Sequence, residues 1–331
     1  MDVVANMKVT AIRLINTSTM NAFVPHLEKR RAEIEGVHVK TFKYGTAERH
    51  MLDVYYPPED ICPTSGRKIP VLHFFYGGSF VRGSRRLPPP YDLGYASTGA
   101  YFAKRGILTV IADYRLVPNV KYPQPIEDVR DTISWVIANG ADEIVGQTGI
   151  QADFDHVFLL GHSAGTIYIS TLLFHPTLLT PQLRSHIRGI VLKSGMFRFP
   201  RDKRMGLEDP LLQLYGNWFE VEANMPIALL NQASDEVLKG FPEVIMLARE
   251  QEPDGFFVTN EERVREALEA RLGRDIPLNF MKGHNHISPH WALWSGREQE
   301  KNGRRRLPDG FTTKLRQHNM CLARVNAVVY Y

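Results

Sequence analysis

Apolar and polar residues alternate along this chain in a pattern that predicts strands and helices in turn. The runs "MLDVYYPP" (51–58) and "IPVLHFF" (69–75) predict strands, and "ILTVIADY" (107–114) and "DHVFLLG" (155–161), short and apolar, predict buried ones. Further runs, "IRGIVLKSG" (187–195), "FPEVIMLA" (241–248) and "IPLNFMKG" (276–283), predict three more strands. Between them lie segments of helical period. "YASTGAYFAKRG" closes at Gly106, and "YPQPIEDVRDTISWVIANG" places Ile126, Val129, Ile133 and Trp135/Val136 on one side and stops at Gly140. "AGTIYISTLLFH" and "NEERVREALEARLG" complete the set, and "MNAFVPHLEKRRAEIEG" predicts one or two amphipathic helices near the start. Strand and helix in strict turn imply an α/β architecture, a mostly parallel sheet flanked by helices on both faces.

Residues 196–240 interrupt the alternation. The stretch is rich in Phe, Leu, Trp and Met without strand periodicity, and predicts a mostly helical insertion, a cap over the strand C-termini. The expected organisation is a helical segment over 1–45 that contributes to the cap, a core over 46–195 and 241–295, the cap at 196–240, and a tail over 296–331.

Composition narrows the functional class. At 331 residues, 44% hydrophobic and 23% charged, the chain has the make-up of a soluble globular protein. No stretch approaches the ~18 consecutive apolar residues of a membrane span, and the polar residues scattered through "MDVVANMKVTAIRL" argue against a signal peptide. A cytoplasmic address is therefore expected. Cys62 and Cys321 share no C-x-x-C spacing, so neither a disulfide framework nor a zinc site is expected. From Arg297 onward eight basic residues face three acidic ones, so the net charge of +4 belongs to the tail and gives no reason to expect a nucleic-acid surface.

The chemistry concentrates at "GHSAG", residues 161–165, where a serine stands between two glycines after a strand and before a helix. That context suits a nucleophile on a tight strand-to-helix turn. Ser163 needs a base, and "MKGHNHISPHW" offers His284, His286 and His290 after a predicted strand. No carboxylate or cysteine stands beside these histidines at metal-ligand spacing, so no metal is expected. An acid is expected past the strand "PEVIMLA", where Glu250, Glu252 and Asp254 are candidates. Glu252, which precedes a proline, ranks first and Asp254 second. The oxyanion of an attacked carbonyl needs preorganised N–H donors, expected from Ala164 and from Gly77 and Gly78 after "PVLHFF".

The string "FYGGSFVRGS", "ILTVIADYRLVP", "YPQPIEDV", "GHSAG" and "GHNHIS" resembles the esterase branch of the α/β-hydrolases, which includes hormone-sensitive-lipase-like carboxylesterases and kynurenine formamidases. The resemblance runs from about residue 50 to 295. It implies a serine hydrolase with Ser163, His286 and Glu252 as its triad, no cofactor and no metal, and the aromatic-rich stretch 196–240 adds the expectation of a carboxylic ester substrate of medium-sized, largely apolar character. Its nearest variants are an arylformamide or amide substrate and acyl transfer in natural-product tailoring. A hydrolase fold kept only to bind a small molecule is the alternative of another class. Tyr76 stands where this family has the histidine of an H-G-G motif.

Overall fold

In this computed structural model the strand sequences assemble into one eight-stranded sheet, β1 (Val39–Lys43), β2 (Met51–Tyr55), β3 (Ile69–Phe75), β4 (Leu108–Ala112), β5 (Ala152–His162), β6 (Ile187–Lys193), β7 (Glu243–Arg249) and β8 (Leu278–Met281), in the order β1-β2-β4-β3-β5-β6-β7-β8. The structure describes residues 4, 7, 11–63, 66–199, 201, 206–249 and 256–295. From β4 to β8 all neighbours are parallel, while β1 pairs antiparallel with β2 and β2 antiparallel with β4. This is the mostly parallel α/β architecture that the alternation of strands and helices implies. All five residues of β4 are buried, because helices cover both faces, and a strand buried on both sides has no reason to alternate.

Strand β1 is absent from the sequence expectation. Its residues "VKTFK" lie at the sheet edge, none of them fully buried, and carry two lysines, so no continuous apolar run marks the strand.

Helices α1 (Ile12–Glu28) and α2 (Arg31–Glu35) precede the sheet, and α3 (Leu93–Ala103) follows β3. The expected amphipathic segment near residue 20 begins earlier and is broken at Lys29 and Arg30. Helix α4 (Gln124–Asn139) buries Ile126, Val129, Ile133 and Val136, while Trp135 stays half-exposed. Beyond Asn139 the chain makes one wider turn over Gly140–Ile144 instead of stopping. Helix α5 (Ala164–Phe174) is buried at every position, since α4 packs on it from one side and later helices from the other.

Helix α6 (Pro181–His186) precedes β6, and α7 (Glu208–Tyr215), α8 (Trp218–Asn224), α9 (Pro226–Gln232) and α10 (Asp235–Leu238) follow it. Helix α9 packs on α5 and on α11 (Phe256–Leu272), and the Tyr122 N–H donates to the Leu214 carbonyl, which ties α7 to the loop after β4. The described chain closes with α12 (Ser288–Trp291), seated against α1 and α3.

Candidate active site

Ser163 follows the last residue of β5 and caps α5, with φ 53° and ψ −117°. A serine pays for such a left-handed turn with strain of order 1–3 kcal/mol, tolerated where the surroundings fix the backbone. They do so here. Its N–H donates to the Lys193 carbonyl on β6, and its own carbonyl accepts from the N–H groups of Thr166 and Ile167. The flanking glycines are required by contact: a Cβ on Gly165 would lie 2.1 Å from the Phe75 carbonyl oxygen, and one on Gly161 would lie 2.7 Å from the Thr166 backbone.

The loop after β3 lies against this turn. A Cβ on Gly77 would come within 2.8 Å of the Ser163 Cβ, so the loop's backbone approaches the serine as closely as glycine permits. Gly78 has φ 148°, and a Cβ there would lie 1.9 Å from the Arg82 carbonyl oxygen. Its own carbonyl accepts from the N–H groups of Val81 and Arg82. Thus Gly77 meets the serine directly, and Gly78 begins a tight turn onto Arg82.

Tyr76, which precedes the pair, is 0% exposed and lies between the rings of Tyr95 and Tyr114, with centroids 5.2 and 4.8 Å away. Its hydroxyl donates to Asp113 Oδ1 at 2.6 Å and accepts from Arg49 Nη2 at 3.0 Å, and its carbonyl accepts from the Tyr114 hydroxyl at 2.7 Å. Burial beside Asp113 holds the phenol well above its ordinary pKa. Asp113 also accepts from the Arg85 N–H and guanidinium, and Arg49 donates to the Gly83 carbonyl. The loop over 76–85 is therefore anchored at Tyr76, Gly83 and Arg85. Sequence reasoning singled out none of Arg49, Arg85 and Asp113 as individual residues. The only signal was the acid in "ADYR", whose partner is 37 positions away.

His286 reaches the serine from the loop between β8 and α12. Its Nε2 lies 2.8 Å from Ser163 Oγ, so the hydroxyl can donate to the ring nitrogen. Burial, with Arg249, His162 and His290 nearby, holds the imidazole well below its ordinary pKa, so it is neutral at neutral pH and able to take a proton. The loop is built by its neighbours. The Asn285 side-chain carbonyl accepts from the N–H groups of Ile287 and Ser288, and its amide donates to Thr19 Oγ1 on α1 at 2.8 Å. His284 bonds Ser288 Oγ at 3.0 Å, and His290 is buried against His162 and Tyr95. The structure therefore brings Ser163, His286, Gly77, Gly78 and Ala164 together and directs His284 and His290 elsewhere. Glu250, Glu252 and Asp254 lie outside the described residues, as does the expected tail from residue 296.

Behind the site lies a buried polar layer. Lys193 at the end of β6 is pushed down to about 7 by burial. Arg249 on β7 is pushed down to about 9 by burial, and Glu261 on α11 is pushed up to about 8 by burial against the pull of Arg249. Among the described residues no group of three or more His, Cys, Asp or Glu side chains could hold a metal ion, and no helix is long and apolar enough to cross a membrane.

Comparison with known proteins agrees with this fold. The sequence model of a family described as having the alpha/beta hydrolase fold matches residues 72–289. Probable carboxylesterase 1 of Arabidopsis thaliana is 26% identical over 209 residues, which cover 55% of this chain and 64% of that protein. A non-reducing polyketide synthase of Aspergillus calidoustus is 32% identical over 164 residues, covering 49% of this chain and 6% of the synthase. The chain thus spans less than two thirds of either relative. Esterase B of Lactobacillus rhamnosis shares the fold with a TM-score of 0.61 at 16% identity, over 96% of each chain.

Proposed function

The chain belongs to the α/β-hydrolase fold family, and on that premise we propose that it is a serine hydrolase that cleaves a carboxylic ester of a medium-sized, largely apolar small molecule. The observation that carries the reading is the 2.8 Å contact between Ser163 Oγ and His286 Nε2, on a left-handed turn against the Gly77–Gly78 loop. Ser163 Oγ attacks the acyl carbonyl as its proton passes to His286 Nε2. The resulting oxyanion is received by the N–H groups of Gly77, Gly78 and Ala164. Collapse expels the alcohol, which takes the proton from His286, and leaves an acyl-enzyme on Ser163. Water then attacks the acyl group with His286 again as base, returning the free serine and the acid. Glu252 is proposed to orient the imidazole and stabilise its charged form, with Asp254 as the alternative.

An apolar substrate is supported by the surroundings of the glycine loop. Phe80, two residues past Gly78, packs on Tyr168 and Phe199 with centroids 5.8 and 6.1 Å away, and Phe199 opens the stretch 196–240 proposed as the cap. Likeness to a polyketide synthase favours a second reading, the same acyl-enzyme passing its acyl group to an acceptor other than water in natural-product tailoring. A cytoplasmic setting is proposed for either reaction.

Incubation with a fluorophosphonate probe tests the proposal. Wild type should be labelled on Ser163 and should hydrolyse p-nitrophenyl butyrate. Ser163→Ala should keep the fold, take no label and lose several powers of ten in kcat. An unlabelled wild type would instead indicate a fold that binds a small molecule without cleaving it.

A further inference from the structure

His162, the residue before the nucleophile, makes a contact that the attack itself does not use. Its Nε2 lies 2.8 Å from the main-chain carbonyl oxygen of His286, across 124 positions of sequence. A carbonyl only accepts, so Nε2 carries the proton and Nδ1 does not. That bare Nδ1 points at the other half of the site, 3.2 Å from where a Cβ on Gly77 would stand. The ring is buried, with its centroid 5.1 Å from that of His286 and 4.7 Å from that of His290. Burial, with Lys193 nearby, pushes it down to about 3, so it stays neutral and keeps this single tautomer across the neutral range.

We propose that His162 is a positioning residue that holds the backbone of His286 in register with the Gly77 loop, by donating from Nε2 to the His286 carbonyl while its ring fills the space between the two. The proposal rests on the serine-hydrolase reading above. Ser163 fixes where the attack starts and Gly77 where the oxyanion forms, and both are covalently close to strand ends of the sheet. His286 is not. It rides on a loop past the edge strand β8, and the Asn285 bonds hold that loop at residues 287 and 288. The bond to the carbonyl of residue 286 holds the loop at the base's own backbone, and its donor is the residue next to Ser163. Misplacement of a reacting group by ~1 Å costs about 100-fold in rate, so a contact of this kind acts on turnover more than on binding.

Three variants separate the donor from mere packing. In His162→Gln the amide nitrogen falls near the imidazole Nε2 position and can still reach the His286 carbonyl. In His162→Asn the amide falls near Nδ1, too short to reach. His162→Leu removes the polar group. With p-nitrophenyl butyrate as substrate, Gln should keep kcat within about fivefold of wild type, while Asn and Leu should lower kcat by about 100-fold with KM changed by less than about threefold. Fluorophosphonate labelling should slow in the same order. A ring that only fills space predicts a different result, with Gln falling as far as Leu, or Asn and Leu as active as wild type, and either would overturn the proposal. Should Leu fail to fold, the contrast between Gln and Asn, two polar residues differing by one methylene, decides the matter alone. A wild type that neither turns over the ester nor takes the label would overturn the hydrolase reading and this one with it. That outcome is distinguishable from an active wild type beside an equally active His162→Asn.

Discussion

The Tyr76 hydroxyl donates to Asp113 Oδ1 at 2.6 Å inside a fully buried stack of tyrosine rings, and so the residue that replaces the family histidine is part of the core beneath the glycine loop. Tyr76→Phe removes one of the donors to Asp113 Oδ1, which keeps the Arg85 N–H, and the loss of a hydrogen bond to a charged group costs about 1.5–3 kcal/mol. Tyr76→His loses ring area in the stack as well, so it should destabilise at least as much as the phenylalanine change. Urea denaturation of both variants measures this, and a histidine variant as stable as wild type would show that the stack repacks around the smaller ring.

Gly165→Ala and Gly78→Ala should abolish labelling and turnover, and destabilise the fold. At Gly165 the added methyl meets a strand carbonyl at 2.1 Å, and at Gly78 it meets the Arg82 carbonyl at 1.9 Å in a backbone conformation that disfavours side chains. Neither obstacle is a flexible side chain that could swing away. Melting temperature together with fluorophosphonate labelling checks the outcome, and full labelling of either variant would contradict it.

Asn285→Ala should lower kcat by more than tenfold and stability by about 1–3 kcal/mol, since the N–H groups of Ile287 and Ser288 lose their shared acceptor. Thr19→Val removes only the far end of the network and should cost less. Parallel kinetics and urea melts of the two variants provide the comparison.

Stability should fall as pH drops below about 7. His73 and His162 are pushed down to about 3 by burial and His284 to about 4, while His286 and His290 are held well below the ordinary range. Unfolded histidine titrates near 6.5, so below that pH the unfolded chain binds protons that the folded chain refuses, and the balance shifts toward unfolding. Glu261, pushed up to about 8, works in the opposite sense, one group against five. The urea midpoint measured between pH 8 and pH 5 should decline steadily, and a midpoint that rose on acidification would refute the prediction.

Glu252→Gln should lower kcat far more than Asp254→Asn, by up to about 10⁴-fold, because an amide favours the wrong tautomer of the imidazole even when the shape is kept. Asp254 precedes a glycine in "DGF", a sequence in which an aspartate commonly bonds its own backbone. Assaying both amides on one ester at one pH decides between them. A larger loss from Asp254→Asn would move the acid two positions along the chain.

The strands from β2 to β8 were legible because each is a short apolar run bounded by polar residues, and the serine turn was legible because its tightness demands glycine at both flanks. Strand β1 left no such trace, since an edge strand needs no buried run. His162 was visible as a letter of "GHSAG" but not as a donor, because its acceptor is a backbone carbonyl, and carbonyls carry no sequence signature. The same holds for Asn285, which spends its carbonyl oxygen on two N–H groups. Tyr76 reads in sequence as a departure from a pattern; only the position of Asp113, at the end of a different strand, reveals what the phenol does there.

The bond between Asn285 and Thr19 spans 266 residues. Its two ends are made far apart in time on a growing chain, so the loop that carries His286 is tied to α1 only after the sheet strands between them have emerged. Such long-range closure is slow compared with local folding. The serine turn, by contrast, can form as soon as β5, β6 and α5 are present. A chain stopped before the His286 loop would then hold the shaped serine turn without its proposed base, and the proposed hydrolysis would depend on closure between these two distant segments.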